Sequence, residues 1–233
     1  MAEPGGPHSR DEFHEMAQAA RQRILDSGLP FPCDEDLGPA SRGAETKQRI
    51  LAVAITLCGE RGIEACTMRD IATEAGIKAP AIYNHYGSKE EVLAAAMEDI
   101  LGRFFWGQVA SLGDFPIEDW LEQIVTRHVR FQLRHRRQAD ASDAVLNGPA
   151  KKDNLPTPTY RRLVGLQRDY ADLFCVLIQA AWPTADRTQA MMAGFAMAAM
   201  CDRVSGWHNP KGQLSIEEIA ERQWVLARQM IDP

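Results

Sequence analysis

The 233-residue chain has no run of about 18 consecutive apolar residues, which excludes a hydrophobic membrane-spanning helix. Its opening stretch, MAEPGGPHSRDEFHE, lacks both a basic cluster and an apolar core, so no secretory leader is expected. The five cysteines (Cys33, Cys58, Cys66, Cys175 and Cys201) are odd in number, scattered, and never spaced C-x-x-C. That pattern speaks against a disulfide framework or a structural zinc and predicts a reducing, cytoplasmic setting. His128 and His135 stand seven apart and His208 lies late in the chain, with no carboxylate or thiol at ligand spacing beside them. No metal site is therefore expected. G-x-S-x-G, H-E-x-x-H and phosphate-loop patterns are all missing, so the chain does not read as an enzyme, and no cofactor is implied.

An excess of positive charge is missing too. Lysine plus arginine number 26 against 32 acidic residues, a formal net charge of -6. Residues 1–44 hold 4 basic and 8 acidic residues, residues 45–103 hold 7 and 9, and residues 104–233 hold 15 and 15. Unselective coating of nucleic acid needs many phosphate contacts, and this balance disfavours it. Reading a short site with a few placed cations stays open.

What the chain does contain is helical periodicity, with no strand alternation and no internal repeat. Phe13, Met16, Ala17, Ala20, Ile24 and Leu25 share one predicted face over residues 9–27, ended by Gly28. Residues 28–44, rich in Pro, Gly and acid, read as a linker. A second helix over 45–61 carries Ile50, Ala54, Leu57 and Cys58 and stops at Gly62. Ser88 and Glu91 form a capping-box pattern heading a helix to about residue 109. Further helices are expected over 117–137, 159–181, 186–207 and 215–231, the last behind Ser215 and Glu218, with a loop over 147–158. The fold class is all-α: an extension with one amphipathic helix (1–44), a three-helix domain (45–103) and a larger helical domain (104–233).

The specific signal lies in residues 46–92. Thr67 is a helix N-cap, Ile71, Ala72 and Ala75 form a narrow apolar face, and Gly76 with Ile77 ends that helix. The next predicted helix, 78–86, turns Ile82 and Tyr86 inward and Lys78, Ala79, Tyr83, Asn84 and His85 outward. Two short helices around a glycine turn make a helix-turn-helix pattern.

The run T-x-R-D-I-A-x-x-A-G-I-x-x-x-x-I-Y-x-H-Y-x-S-K-E-E-V-L resembles the DNA-binding domain of TetR-type bacterial transcriptional regulators. The resemblance implies that the second motif helix enters a major groove and offers Lys78, Ala79, Pro80, Tyr83 and Asn84. Ala79 is suited to a thymine methyl and Lys78 to a guanine or a phosphate. Tyr83, His85 and Lys89 match backbone-gripping positions, Thr67 and Arg69 reach the opposite groove wall, and Lys47 adds a phosphate contact. Three residues depart from the family pattern: Lys78 for a small hydroxyl cap, Ala81 for Ser or Thr, and Tyr86 for Phe. The first two alter which bases are read.

The resemblance also implies a homodimer whose rear domain encloses a small hydrophobic effector. One recognition helix is too small for typical specific affinity, so two would read a pseudo-palindromic duplex operator at a spacing of roughly 34–36 Å. Ala193, Gly194, Ala196, Ala198 and Ala199 suit either a close dimer contact or a packed core. Candidate effector contacts are Trp120, Ile124, His128, Phe131, Tyr170, Phe174, Leu177, Met197, Arg203 and Trp207, with core packing the competing role for each. R-V-S-G-W-H-N-P-x-G-x-L-S-x-E-E-I-A is similar to regulators of lipid and sterol catabolism that answer to acyl-CoA thioesters, with Arg203 its one obvious cation. The expected function is a repressor that a hydrophobic small molecule releases from DNA, an acyl-CoA thioester being favoured among named ligands. The alternative is a helical dimeric interaction or redox-sensing module, using Cys58 and Cys66, with weak or no DNA binding.

Overall fold

The computed structural model describes residues 9–29, 42–147 and 155–231. Their regular structure is helical, and the chain divides into two compact units. The expected linker at 28–44 and loop at 147–158 lie largely outside the described residues, as does Cys33.

The first unit comprises Met1–Gly28, Phe104–Arg134 and Gly165–Pro233. Helix α1 (Arg10–Leu25) starts at a reciprocal cap between Ser9 and Glu12 and buries Phe13, Ala17, Ala20 and Ile24. Met16 is 39% exposed, so the packed stripe is narrower than the sequence suggested. Gly28, with φ +67°, takes the left-handed conformation just past the helix. Polar contacts fasten α1: Arg10 pairs with Glu118, and Arg23 with Asp169 at 2.7 Å. Arg21 donates from Nε to the Val109 carbonyl at 2.8 Å and from Nη2 to that of Ala110.

Helix α6 (Trp120–Arg134) is strongly amphipathic and buries Ile124, Val125, His128 and Val129. It packs against α9 (Arg187–Asp202), α10 (Val204–Trp207) and α11 (Ile216–Gln229). Two long helices were expected to run unbroken here, and both are interrupted. The predicted 117–137 helix is a short 3-10 turn, Ile117–Asp119, followed by α6, which ends before His135. Continued straight, it would turn Arg136, Arg137 and Asp140 into its apolar stripe. The predicted 186–207 helix breaks at Arg203 (φ -85°, ψ 0°), a bend that accompanies burial of Val204 and Ser205.

The second unit comprises Leu29–Arg103 and His135–Val164. Helix α2 (Arg42–Arg61) buries Ile50, Leu51, Ala54, Ile55 and Cys58 and packs against α3 (Met68–Glu74) and α7 (Arg136–Asn147). Helix α5 (Lys89–Val109) belongs to this unit through Arg103 and to the first from Phe104. Helix α8 (Thr157–Ala181) likewise changes unit between Val164 and Gly165. Glu98 of α5 holds Arg162 and Thr159 at the start of α8.

Gly59 in α2 sits so close to α7 that an added Cβ would lie 2.3 Å from the Ala141 Cβ and 2.7 Å from its Cα. Alanine in a helix is ordinarily stabilising over glycine by up to about 1 kcal/mol. Here overpacking wins. Gly59→Ala is expected to destabilise the protein by about 2 kcal/mol and to lower Tm by roughly 4–8 °C in thermal denaturation.

Candidate nucleic-acid interface

Within the second unit, α3 begins where Thr67 accepts the Asp70 N–H at 3.2 Å, while Asp70 accepts the Thr67 N–H at 3.0 Å. The Thr67 hydroxyl also donates to Asp70 Oδ2 at 2.6 Å. These hydrogen bonds hold the exposed Asp70 carboxyl below the ordinary carboxylate range. Met68, Ile71, Ala72 and Ala75 are buried beneath. The helix closes as the Gly76 N–H reaches the Thr73 carbonyl (3.1 Å) and the Ile77 N–H that of Ala72 (2.9 Å), with Gly76 at φ +68°.

The next segment is shorter as a regular helix than the sequence predicts. Only α4 (Ala79–Ile82) is regular α-helix, not the whole of 78–86. Lys78 occupies its N-cap without a side-chain bond, since an ammonium cannot accept a backbone N–H. Pro80 falls in the first turn, where no N–H is required. Beyond Ile82 the chain continues as tight turns: the Asn84 N–H bonds the Ala81 carbonyl at 3.2 Å, and the His85 N–H that of Ile82 at 3.0 Å.

Ile82 and Tyr86 are buried, whereas Lys78, Pro80, Tyr83, Asn84 and His85 all lie exposed on this one segment. Tyr83 is 58% exposed. Ala79 is half-buried, Thr67 and Arg69 are exposed at the start of α3, and Lys47 is exposed on α2. Two candidates have local engagements. The Thr67 hydroxyl is occupied by the cap, and Lys89 Nζ donates to the Ile63 carbonyl at 2.7 Å, tying the α2–α3 loop to α5. Arg61, close enough to Asp70 to favour its charged form, was passed over because it reads as the basic last turn of α2.

The cap heading α5 is half the expected box: the Glu91 N–H reaches Ser88 Oγ at 3.1 Å, but the Glu91 carboxylate takes the Gly87 N–H at 2.8 Å. Burial raises the Tyr86 phenol to about 12, and among the described residues its hydroxyl has no hydrogen-bond partner. Cys58 and Cys66 are buried and hydrogen-bonded, and burial pushes the Cys58 thiol far up. A thiol held protonated is a poor nucleophile.

In the first unit, eight of the effector candidates are buried or half-buried. Trp120, Ile124, His128, Tyr170, Phe174, Leu177 and Met197 are buried, and Phe131 is half-buried. Phe104 stands edge-on to His128 at 4.8 Å, Phe131 at 5.1 Å and Tyr170 at 5.5 Å, while Tyr170 meets Phe174 at 5.2 Å. His128 Nε2 lies 2.8 Å from Asp202 Oδ1, and its Nδ1 lies 3.3 Å from the Tyr170 hydroxyl. Gln132 Nε2 donates to the same Asp202 oxygen at 3.0 Å. Phe104, Gln132 and Asp202 escaped the sequence reading. Phe104 reads only as part of the helix headed by Ser88, and Asp202 looks like an ordinary exposed charge. Arg203 and Trp207 stand apart from the cluster, exposed, with Trp207 at 58%.

Among the described residues no group of three His, Cys, Asp or Glu is placed to hold a metal ion, and no helix is long and apolar enough to cross a membrane. The model for bacterial regulatory proteins of the tetR family matches residues 50–96, and that for the tetracyclin repressor-like C-terminal domain matches residues 114–231. A helix-turn-helix unit followed by a helical body is the architecture of a ligand-responsive transcriptional regulator. The chain belongs to the tetR family.

It is 25% identical over 201 residues to the transcriptional repressor KstR2 of Rhodococcus jostii RHA1, spanning 83% of this chain and 92% of that repressor. The ketosteroid regulator KstR2 of Mycobacterium tuberculosis shares the fold at TM-score 0.65 and 19% identity, over 83% of this chain and 96% of that one. AibR, solved with isovaleryl coenzyme A and operator DNA, shares it at TM-score 0.63 and 21% identity, over 81% and 99%.

Removing the α3 cap tests the local design. Thr67→Ala is expected to lower stability by about 1 kcal/mol in urea denaturation. Because the Asp70 pKa is lowered on folding, its contribution is present above the unfolded carboxyl pKa and disappears as pH falls through the folded one. The difference between wild type and Thr67→Ala should therefore shrink in acid.

Proposed function

We propose that the protein is a homodimeric repressor that reads a pseudo-palindromic operator with the segment around Tyr83 and leaves it when a hydrophobic small molecule binds. In this reading residues 45–103 are the DNA reader, residues 104–233 carry the effector site and the dimer contact, and residues 1–44 are an added extension. The observation that carries it is the segregation of residues 78–86, with Ile82 and Tyr86 buried while Lys78, Pro80, Tyr83, Asn84 and His85 face solvent. A phenol, an imidazole and an ammonium on so short a stretch supply donors for phosphate and base edges. Arg69, Lys47 and the remaining N–H groups of Lys89 add phosphate contacts, and Thr67 sets the start of α3. The acidic overall balance keeps the protein off non-specific DNA. Work in a reducing cytoplasm fits the burial of Cys58, Cys66 and Cys201.

For the effector we favour an acyl-CoA thioester. The R. jostii relative is a KstR2 repressor, and AibR was solved with an acyl-CoA. Trp120, Ile124, Phe131, Phe174, Leu177 and Met197 suit the acyl portion, and His128 and Tyr170 a carbonyl within it. Exposed Arg203 and Trp207 suit a phosphate and an adenine. Phe104 packs edge-on against His128, Phe131 and Tyr170, so in this reading the ligand binds a state in which these rings are parted. Release of DNA then follows from the ligand's preference for the opened state. A swing from 1:99 to 99:1 takes about 5.5 kcal/mol of differential affinity.

The dimer contact is assigned to α9, where Met191, Met192 and Phe195 are exposed, and to α11 and the residue after it, where Val225, Leu226 and Met230 are exposed. Ala196 and Ala199 also face outward, but Ala193 and Gly194 are buried. An added Cβ on Gly194 would lie 3.6 Å from the Phe174 Cβ, so that glycine serves α8 packing.

The full chain, offered duplexes selected from a random pool, should bind a two-fold symmetric site. Tyr83→Ala should weaken it at least tenfold in fluorescence anisotropy, about 1.4 kcal/mol or more. Isovaleryl coenzyme A and longer acyl-CoAs are the probes for release. Selective binding to no duplex would sink the regulator reading and leave an interaction module; unchanged DNA affinity with every thioester would remove that effector class. Phe195→Arg places a charge in the assigned dimer contact and should shift the protein to monomer in size-exclusion chromatography with light scattering, with helicity unchanged.

A further inference from the structure

Helix α1 does more than cover the first unit. Beside its buried stripe, His14, Gln18 and Arg21 follow at i, i+4 and i+7 and so share one face. Together with Phe115, Ile117 and Trp120 they line an open cleft of about 400 Å³, within the range of roughly 300–1,000 Å³ common to small-molecule sites. Its polar side chains, His14, Gln18 and Arg21, can each donate a hydrogen bond, and among the described residues no carboxylate lines it. Glu118, next to Ile117, is engaged by Arg10.

Arg21 is the centre of this arrangement. Its Nε and Nη2 bonds to the Val109 and Ala110 carbonyls, where α5 ends, hold the guanidinium in one orientation. Such a fixed fork loses little entropy on meeting a carboxylate. Among the described residues its remaining N–H groups have no hydrogen-bond partner. A Cβ added at Gly113 would lie 3.5 Å from Arg21 Nη2, an ordinary contact, so the 3-10 turn passes close beside the guanidinium. The Trp120 ring lies 5.9 Å from Arg21 Cζ, and Phe115 and Ile117 continue the apolar wall.

From these residues we infer a second small-molecule site, between α1 and the turn that follows α5, for a small carboxylate with a flat apolar body. The carboxylate sits on Arg21, flanked by Gln18 and His14, and the body lies along Trp120, Phe115 and Ile117. The site is distinct from the ring cluster around Phe104, and it shares only Trp120 with the effector contacts proposed above. It exists only because residues 10–25 form a helix on this unit, since three of its walls' polar groups come from that helix.

Phenylacetate is the probe and phenylacetamide, its uncharged counterpart, the control, both titrated calorimetrically into the full chain. Saturable phenylacetate binding is expected, with the amide at least tenfold weaker. Gln18 is exposed, and Gln18→Glu and Gln18→Lys keep good helix formers there, so both variants should retain the wild-type Tm. Gln18→Glu sets a like charge beside the ligand and should weaken phenylacetate at least tenfold, whereas Gln18→Lys should match or exceed wild type. Absence of saturation up to about 10 mM overturns the proposal. So does equal binding of the amide, or binding that Gln18→Glu leaves unchanged.

Discussion

A helix of four residues has no stability of its own in water, because its single turn fixes more backbone freedom than its hydrogen bonds return. Helix α4 is such a helix, and what holds it is the burial of Ile82 and Tyr86 in the second unit. Everything its outer face can do follows from that anchorage. Lys78, Tyr83, Asn84 and His85 keep a common orientation because the two inward side chains cannot rotate out without exposing an isoleucine and a phenol. The glycine turn before it and the Lys89 bond to Ile63 after it restrict the same segment from both ends.

The first unit solves a different problem. There a polar group is buried among rings: His128 is 2% exposed, yet both its nitrogens face a polar atom. Asp202 comes from α9, Tyr170 from α8 and His128 from α6, so one imidazole joins three helices. An unpaired imidazole in that position would be costly. The bend at Arg203 follows directly after Asp202, where α9 gives way to α10. Helix geometry and hydrogen bonding agree at this point, a sign of consistency between local and tertiary preferences.

Much of this was legible in the sequence where the signal is local. The caps at Thr67 and Ser215, the stops at Gly28, Gly62 and Gly76, and the inward pair Ile82 and Tyr86 are short-range features, and a single stretch of chain suffices to read them. Long-range choices were not legible. The kink at His135 depends on where the apolar stripe of α6 runs out, and the sequence on both sides has helical propensity. Lys89 reads as a phosphate-gripping cation from its motif, and only the fold brings the Ile63 carbonyl within its reach. Asp202 is missed for the same reason, because its partner His128 is 74 residues away in the chain.

Four helices, α1, α3, α9 and α11, open with a reciprocal cap between residues three apart: Ser9 with Glu12, Thr67 with Asp70, Asp186 with Gln189, and Ser215 with Glu218. Each is complete within a single turn and asks nothing of the distant chain. As the polypeptide leaves the ribosome, these points can mark the beginnings of helices before any core has gathered, leaving tertiary collapse to select among segments whose register is already set.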